Sequence, residues 1–128
     1  MNIIMRYYAE AYIRFQNAAA GNPSEPIGNL PDVWAFDVVD ELTFQRPLVA
    51  LAFFDAILEL EPGGRAFEQI AIGGMVHVFN GLGPADAEIA FEVIRQSPHL
   101  LNVVRNIWAE GLDEVGRAFL LRFEGHTN

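Results

Sequence analysis

Apolar residues recur at steps of three and four in this chain, and this spacing places them on one face of a helix rather than of a strand. The segment after Arg65 is the clearest example. Its apolar positions, at i, i+3, i+4, i+7, i+8 and i+11, are Phe67, Ile70, Ala71, Gly74, Met75 and Val78. A chain built from such segments is expected to fold from helices alone.

Prolines and glycines divide the chain into seven segments, because proline suits the first turn of a helix and glycine suits its end. The predicted helices run from about Ile3 to Ala19, from the cap Asp32 to about Thr43, from Pro47 to about Glu61, from Arg65 to the stop at Gly81, from Pro84 to about Gln96, from Pro98 to the stop at Gly111, and from Leu112 to about Glu124. We therefore expect an all-α fold, a single compact domain (residues 1–128) of six to seven antiparallel helices. Residues 20–31 are expected to form a flexible loop and residues 125–128 a frayed tail.

The same spacing predicts which side chains are buried. The helix that begins at Pro47 is apolar almost all round and is expected at the centre of the core. Asp55 interrupts it, and a buried carboxylate there would need a partner such as Arg46, Arg65 or Arg105. In the second half of the chain the residues expected to face inward are Ile89, Val93, Ile94, Leu101, Val104, Trp108, Val115, Phe119 and Phe123.

Composition narrows the class of protein. The chain has 128 residues and no cysteine, so disulfides, thiol catalysis and zinc–cysteine sites are excluded. The first fifteen residues lack the apolar core of a secretory signal, and the longest apolar run, about a dozen residues, is too short to span a bilayer. We expect a soluble, cytoplasmic protein.

Charge indicates the kind of partner. The formal net charge is −9, and all eight cationic side chains are arginines. Binding to nucleic acid relies on cationic groups that displace counterions, so a nucleic-acid partner is disfavoured. An acidic protein is instead steered towards a basic patch on another protein.

The stretch AIGGMVHVFNGLG, residues 71–83, raises the question of a ligand loop. It matches neither the P-loop pattern G-x-x-x-x-G-K-[ST] nor the dinucleotide-binding pattern G-x-G-x-x-G. The chain also has no lysine, which the P-loop requires. We interpret Gly73 and Gly74 as helical residues that let the backbone of a neighbouring helix approach, with a kink or a ligand-facing backbone as the alternatives. His77 has no second histidine at ligand spacing, so a surface or core-edge histidine is favoured. No catalytic residue, cofactor site or metal site is predicted.

Tyrosine and arginine are enriched at protein interfaces, and they are concentrated in the segment MRYYAEAYIRF. The carboxylate pairs Asp37/Glu41 and Asp55/Glu59 favour solvated acidic faces or one side of an interface over a metal site. The candidate partner-binding residues are Arg6, Tyr7, Tyr8, Tyr12, Arg14, Asp37, Asp40, Glu41 and Glu59. The alternative for the first helix is an ordinary amphipathic helix packed on the bundle.

Residues 34–108 resemble a family of small bacterial all-helical domains of unknown function. The corresponding landmarks are Trp34, Pro47, Ala71, Gly73, Met75, Pro98 and Trp108. Where that family has a proline this chain has Gly74, and where it has a Glu-Asp pair this chain has Val76 and His77. The resemblance implies an α-helical fold and supplies no catalytic residues.

These observations predict a non-enzymatic acidic binding protein that covers a basic surface of another protein, as immunity proteins and inhibitors of bacterial toxins or defence systems do. Two alternatives remain open. One is a small-molecule-binding or catalytic helical domain with a pocket near His77. The other is a homodimeric structural module.

Overall fold

The computed structural model describes residues 1–124, and within them the prediction of an all-α fold is confirmed. The α-helices are α1 (Ile3–Gly21), α2 (Val33–Gln45), α3 (Pro47–Leu60), α4 (Arg65–Gln69), α5 (Met75–Gly81), α6 (Pro84–Arg95), α7 (Pro98–Arg105) and α8 (Glu114–Leu121). A π-helical segment, Ile70–Gly74, joins α4 to α5, so residues 65–81 form one continuous helix. Short 3₁₀ turns lie at Ile27–Asn29 and Ala109–Gly111. The predicted tail, residues 125–128, lies outside the described residues.

Helix α3 is the centre of the core, as its composition predicted. It contacts α1, α2, α4, α5, α6 and α7. Leu51, Phe54, Ile57 and Leu58 are each at most 1% exposed. A helix that meets neighbours on several sides needs apolar residues around most of its circumference, which is what this segment carries.

The start of α2 differs from its prediction. Asp32 was expected to cap the helix, but its side chain makes no capping hydrogen bond and its backbone is left-handed, with φ of 61°. Its carboxylate instead accepts two hydrogen bonds from the Arg14 guanidinium, at 3.0 and 3.2 Å, and this contact raises the pKa of Arg14. Asp32 therefore joins α1 to the start of α2.

The continuous helix of residues 65–81 is disturbed at its centre. A π turn interrupts the regular i→i+4 hydrogen-bond ladder. Here the carbonyl of Ala71 accepts a hydrogen bond from the backbone N–H of Trp108, at 3.1 Å. The π-helical segment thus holds the chain that follows α7.

The predictions for the second half of the chain are only partly right. Helix α7 ends at Arg105, six residues before the predicted stop at Gly111. Trp108 consequently lies outside any α-helix and is 50% exposed rather than buried. Other side chains expected inside are also exposed at 42–52%, namely Ile89, Val93 and Val115. Ile94, Val104, Phe119 and Phe123 are buried as predicted.

Asn80 connects α5 to the segment before α8. Its side-chain amide donates to the Gly111 carbonyl at 3.1 Å, and its amide oxygen accepts from the Asp113 backbone N–H at 2.9 Å. Asp113 in turn caps α8 by accepting from the Gly116 N–H. One asparagine therefore fixes the entry to the last helix.

We expect Asn80→Ala to lower the free energy of unfolding by about 1–2 kcal/mol, because it removes one hydrogen bond to the part-buried Gly111 carbonyl and one to the exposed Asp113 backbone N–H. Urea denaturation followed by circular dichroism measures the change. Asn17→Ala is the matched control, since Asn17 is exposed on α1 and its loss should change stability by less than about 0.5 kcal/mol. Equal stability of the two variants would contradict the anchoring role of Asn80.

Candidate functional site

Two aromatic and two acidic side chains share the exposed side of α2. Positions 34, 37, 41 and 44 fall on one face of a helix, and they carry Trp34, Asp37, Glu41 and Phe44. Trp34 is 37% exposed and Phe44 is 60% exposed. The ring of Tyr7, on α1, stacks on Trp34 with 5.6 Å between centroids. We call these five residues the acidic–aromatic face, which extends about 15 Å along α2.

Neighbouring arginines do not neutralise the carboxylates of this face. The ion pairs among residues 1–124 are Arg6–Glu10, Arg14–Asp32, Arg65–Glu68, Arg95–Glu92 and Arg122–Glu88. Asp37 and Glu41 take part in none of them, and neither does Asp40, which is also exposed on α2. Their charges therefore add to a negative potential along the exposed side of α2.

The other residues predicted to bind a partner lie elsewhere or are already engaged. Arg6 and Arg14 are both held in ion pairs. Tyr12 is only 6% exposed, so its assignment to an open surface was wrong. Tyr8 is half-buried, with its ring edge-to-face against the tryptophan of the face at 5.3 Å. Glu59 lines a recess on α3 together with the N-terminal residues.

A cavity with a volume of about 130 Å³ lies between α1, α2 and the helix of residues 65–81, with α3 at its base. Helix α1 contributes Tyr12 and Gln16, and α2 contributes Asp40 and Thr43. Asp40 and His77 are the exposed members of the lining, so the cavity opens between them. The His77 ring also contacts that of Phe44, with 4.6 Å between centroids. The cavity therefore opens at the edge of the acidic–aromatic face.

The polar groups of the cavity include several hydrogen-bond acceptors. Burial raises the pKa of Tyr12 to about 12, and the negative charge of Asp40 acts in the same direction, whereas a hydrogen bond with Gln16 opposes the shift. Tyr12 is thus neutral at physiological pH. The Thr43 hydroxyl donates its proton to the Val39 carbonyl at 2.8 Å, so that its lone pairs remain available.

The two glycines of the π-helical segment have different surroundings. A Cβ on Gly74 would lie 2.7 Å from Cζ of Phe54, whereas a Cβ on Gly73 would meet no heavy atom of the described residues within 4 Å. Both glycines are helical and both line the cavity. The prediction that a neighbouring backbone approaches them was wrong, because an aromatic ring makes the close contact.

The remaining candidate groups do not form a site of their own. Within residues 1–124, His, Asp and Glu side chains form no cluster of three suited to a metal ion. His99 is half-buried in α7, and His126 lies outside the described residues. Asp55 accepts a hydrogen bond from the Ser97 hydroxyl at 2.7 Å, and none of the ion pairs above supplies the arginine that was predicted for it.

No family model, curated protein or solved structure matches this chain. The resemblance to small bacterial helical domains therefore stays a prediction. None of the helices in the described part of the chain has the length and apolarity needed to cross a membrane. The acidic–aromatic face and the cavity are therefore the features of this chain that point to a function.

Sequence reasoning missed Trp34 and Phe44 as surface residues. Tryptophan and phenylalanine are more often buried than exposed, so residue type alone favours the core for both. The sequence nevertheless indicated that both residues are exposed, because they share a helical face with the acidic residues Asp37 and Glu41. No comparable signal marked Gln16, since its place in the cavity depends on how three distant segments pack.

Proposed function

We propose that this chain is a non-enzymatic binding protein whose acidic–aromatic face docks on a basic surface of another protein. The observation that carries the proposal is the presence of exposed aromatic rings beside carboxylates that have no ion-pair partner. Aromatic residues are enriched at the centres of interfaces and commonly supply much of the binding energy. Carboxylates beside them select a cationic partner and accelerate its approach.

Arginine or lysine side chains of the partner fit this face in two ways. They can pair with Asp37 and Glu41, and their charges can lie over the rings of Trp34 and Phe44 in cation–π contacts. The net charge of −9 steers a basic partner from a distance. We place this interaction in the cytoplasm, a reducing compartment with which a chain without cysteine is compatible.

A homodimer formed through the same face is less favourable. A two-fold symmetric interface would bring each face against its own copy. Asp37 and Glu41 would then oppose like charges, at a cost of several kcal/mol. We therefore expect a melting temperature that does not depend on protein concentration.

Affinity capture with charge-matched variants tests the proposal. The first variant, Asp37→Asn with Glu41→Gln, removes two charges from the face. The control variant, Glu110→Gln with Glu114→Gln, removes two charges from exposed positions elsewhere. We expect one or more proteins to bind the wild type and the control but not the face variant.

A captured protein is then purified and its affinity measured by calorimetry. Trp34→Ala and Phe44→Ala should each weaken binding by about tenfold or more, as expected for aromatic residues at an interface centre. Raising the salt concentration should slow association. If every captured protein binds the face variant as well as the control, the proposed face is wrong.

A further inference from the structure

The cavity between α1, α2 and residues 65–81 has the chemistry of a small binding site. Its volume of about 130 Å³ is close to that of cavities of roughly 150 Å³ that hold benzene, so it admits one small planar group. Three aromatic side chains, Tyr12, Phe36 and Phe54, contribute to its lining. Such rings favour a flat or apolar ligand over a strongly hydrated one.

The charge of the lining selects among flat ligands. Asp40 is the one carboxylate in the lining, no arginine lies there, and no hydrogen bond or ion pair within residues 1–124 occupies its oxygens. Asp40 lines the cavity together with Tyr12, and its charge contributes to raising the pKa of that tyrosine. An anionic ligand is therefore disfavoured, and a cationic one is favoured.

The hydrogen-bonding groups point to the same class. Thr43 donates its proton to Val39 and keeps its lone pairs, and the side-chain amides of Gln16 and Gln69 in the lining each carry an acceptor oxygen besides their N–H donors. A guanidinium group presents five donors in one plane and stacks on aromatic rings. An ammonium group presents three donors but has no flat face.

We propose that this cavity binds the guanidinium group of an alkylguanidine, with the Asp40 carboxylate as its counter-ion and the aromatic lining against its flat faces. The group can belong to a free small molecule or to an arginine side chain of the partner protein. The site itself does not depend on the proposed protein–protein interaction. It also gives a role to the π-helical segment, because Gly73 and Gly74 leave one wall of the cavity without side chains.

Titration with butylguanidinium, followed by NMR of the labelled protein, tests the site. The backbone amides of Gly73 and Gly74 are the reporters, and we expect saturable shifts with a dissociation constant on the order of 1 mM. Butylurea has the same shape without the charge and should bind at least about tenfold more weakly. Butylammonium should fall between the two.

Two single substitutions separate a specific site from general attraction to an acidic protein. Asp40→Asn should weaken butylguanidinium binding by about tenfold or more, since it removes the counter-ion. Glu110→Gln removes one charge from an exposed residue outside the cavity lining and should leave the dissociation constant unchanged. Absence of saturable glycine shifts, equal binding of butylurea, or equal effects of the two substitutions would overturn the proposal.

Competition with a captured protein identifies the source of the group. If butylguanidinium displaces that protein, an arginine of the partner occupies the cavity. If both bind together, the site takes a free cation. If no protein binds through the acidic–aromatic face but butylguanidinium binds the cavity, the proposed function alone is overturned. If a protein binds through the face but butylguanidinium does not bind the cavity, the cation site alone is overturned.

Discussion

Replacing Phe79 with alanine is expected to lower the free energy of unfolding by about 3–5 kcal/mol. The side chain is completely buried, and its ring meets Phe119 edge-to-face at 4.7 Å and Phe123 at 6.1 Å. Alanine would remove this ring from the contact between α5 and α8 and leave a cavity. Native domains are stable by only about 5–15 kcal/mol, so the variant should melt many degrees below the wild type.

Differential scanning calorimetry, with urea denaturation as a second probe, measures this loss. Leu121→Ala is the control on α8, because Leu121 is 61% exposed and its truncation should change stability by less than about 0.5 kcal/mol. A loss below 1 kcal/mol for Phe79→Ala would mean that the aromatic contacts do not hold α8 in place.

The helices that the sequence predicts best are those whose own pattern decides their position. Helix α3 is apolar on nearly all sides and begins at Pro47, so both its bounds and its central place follow from local rules. The end of α7 does not follow from local rules. Trp108 continues the apolar spacing, but its backbone N–H bonds to the Ala71 carbonyl of the π-helical segment, and no local pattern in the sequence reports a contact between residues 37 positions apart.

In the candidate site, too, features decided by one segment were predictable and features decided by the packing of several segments were not. Asp37, Asp40 and Glu41 are exposed, as their spacing on a single helix predicted. Tyr12 was assigned to the surface for its residue type, yet α2 and residues 65–81 enclose it. The cavity depends on the packing of three segments and on a π turn, so its lining could not be assembled from the sequence of any one of them.

The glycine pair gives the sharpest test of this part of the structure, because two adjacent substitutions should have opposite effects. Gly73→Ala should raise the free energy of unfolding by up to about 1 kcal/mol, since alanine favours helix over glycine and its methyl group meets open space. Gly74→Ala should instead lower it by about 1–3 kcal/mol, because the new Cβ would lie 2.7 Å from a Phe54 ring that is itself buried.

A double-mutant cycle assigns the cost of Gly74→Ala to that ring. Phe54→Leu destabilises the protein by itself, but it removes the ring atom nearest to the new methyl group. In the Phe54→Leu background, Gly74→Ala should therefore cost about 1–2 kcal/mol less than in the wild type, which is a coupling typical of residues in contact. Urea denaturation of the four proteins measures the coupling. Additive effects, or a Gly73→Ala variant as unstable as Gly74→Ala, would show that the ring of Phe54 is not what requires glycine at position 74.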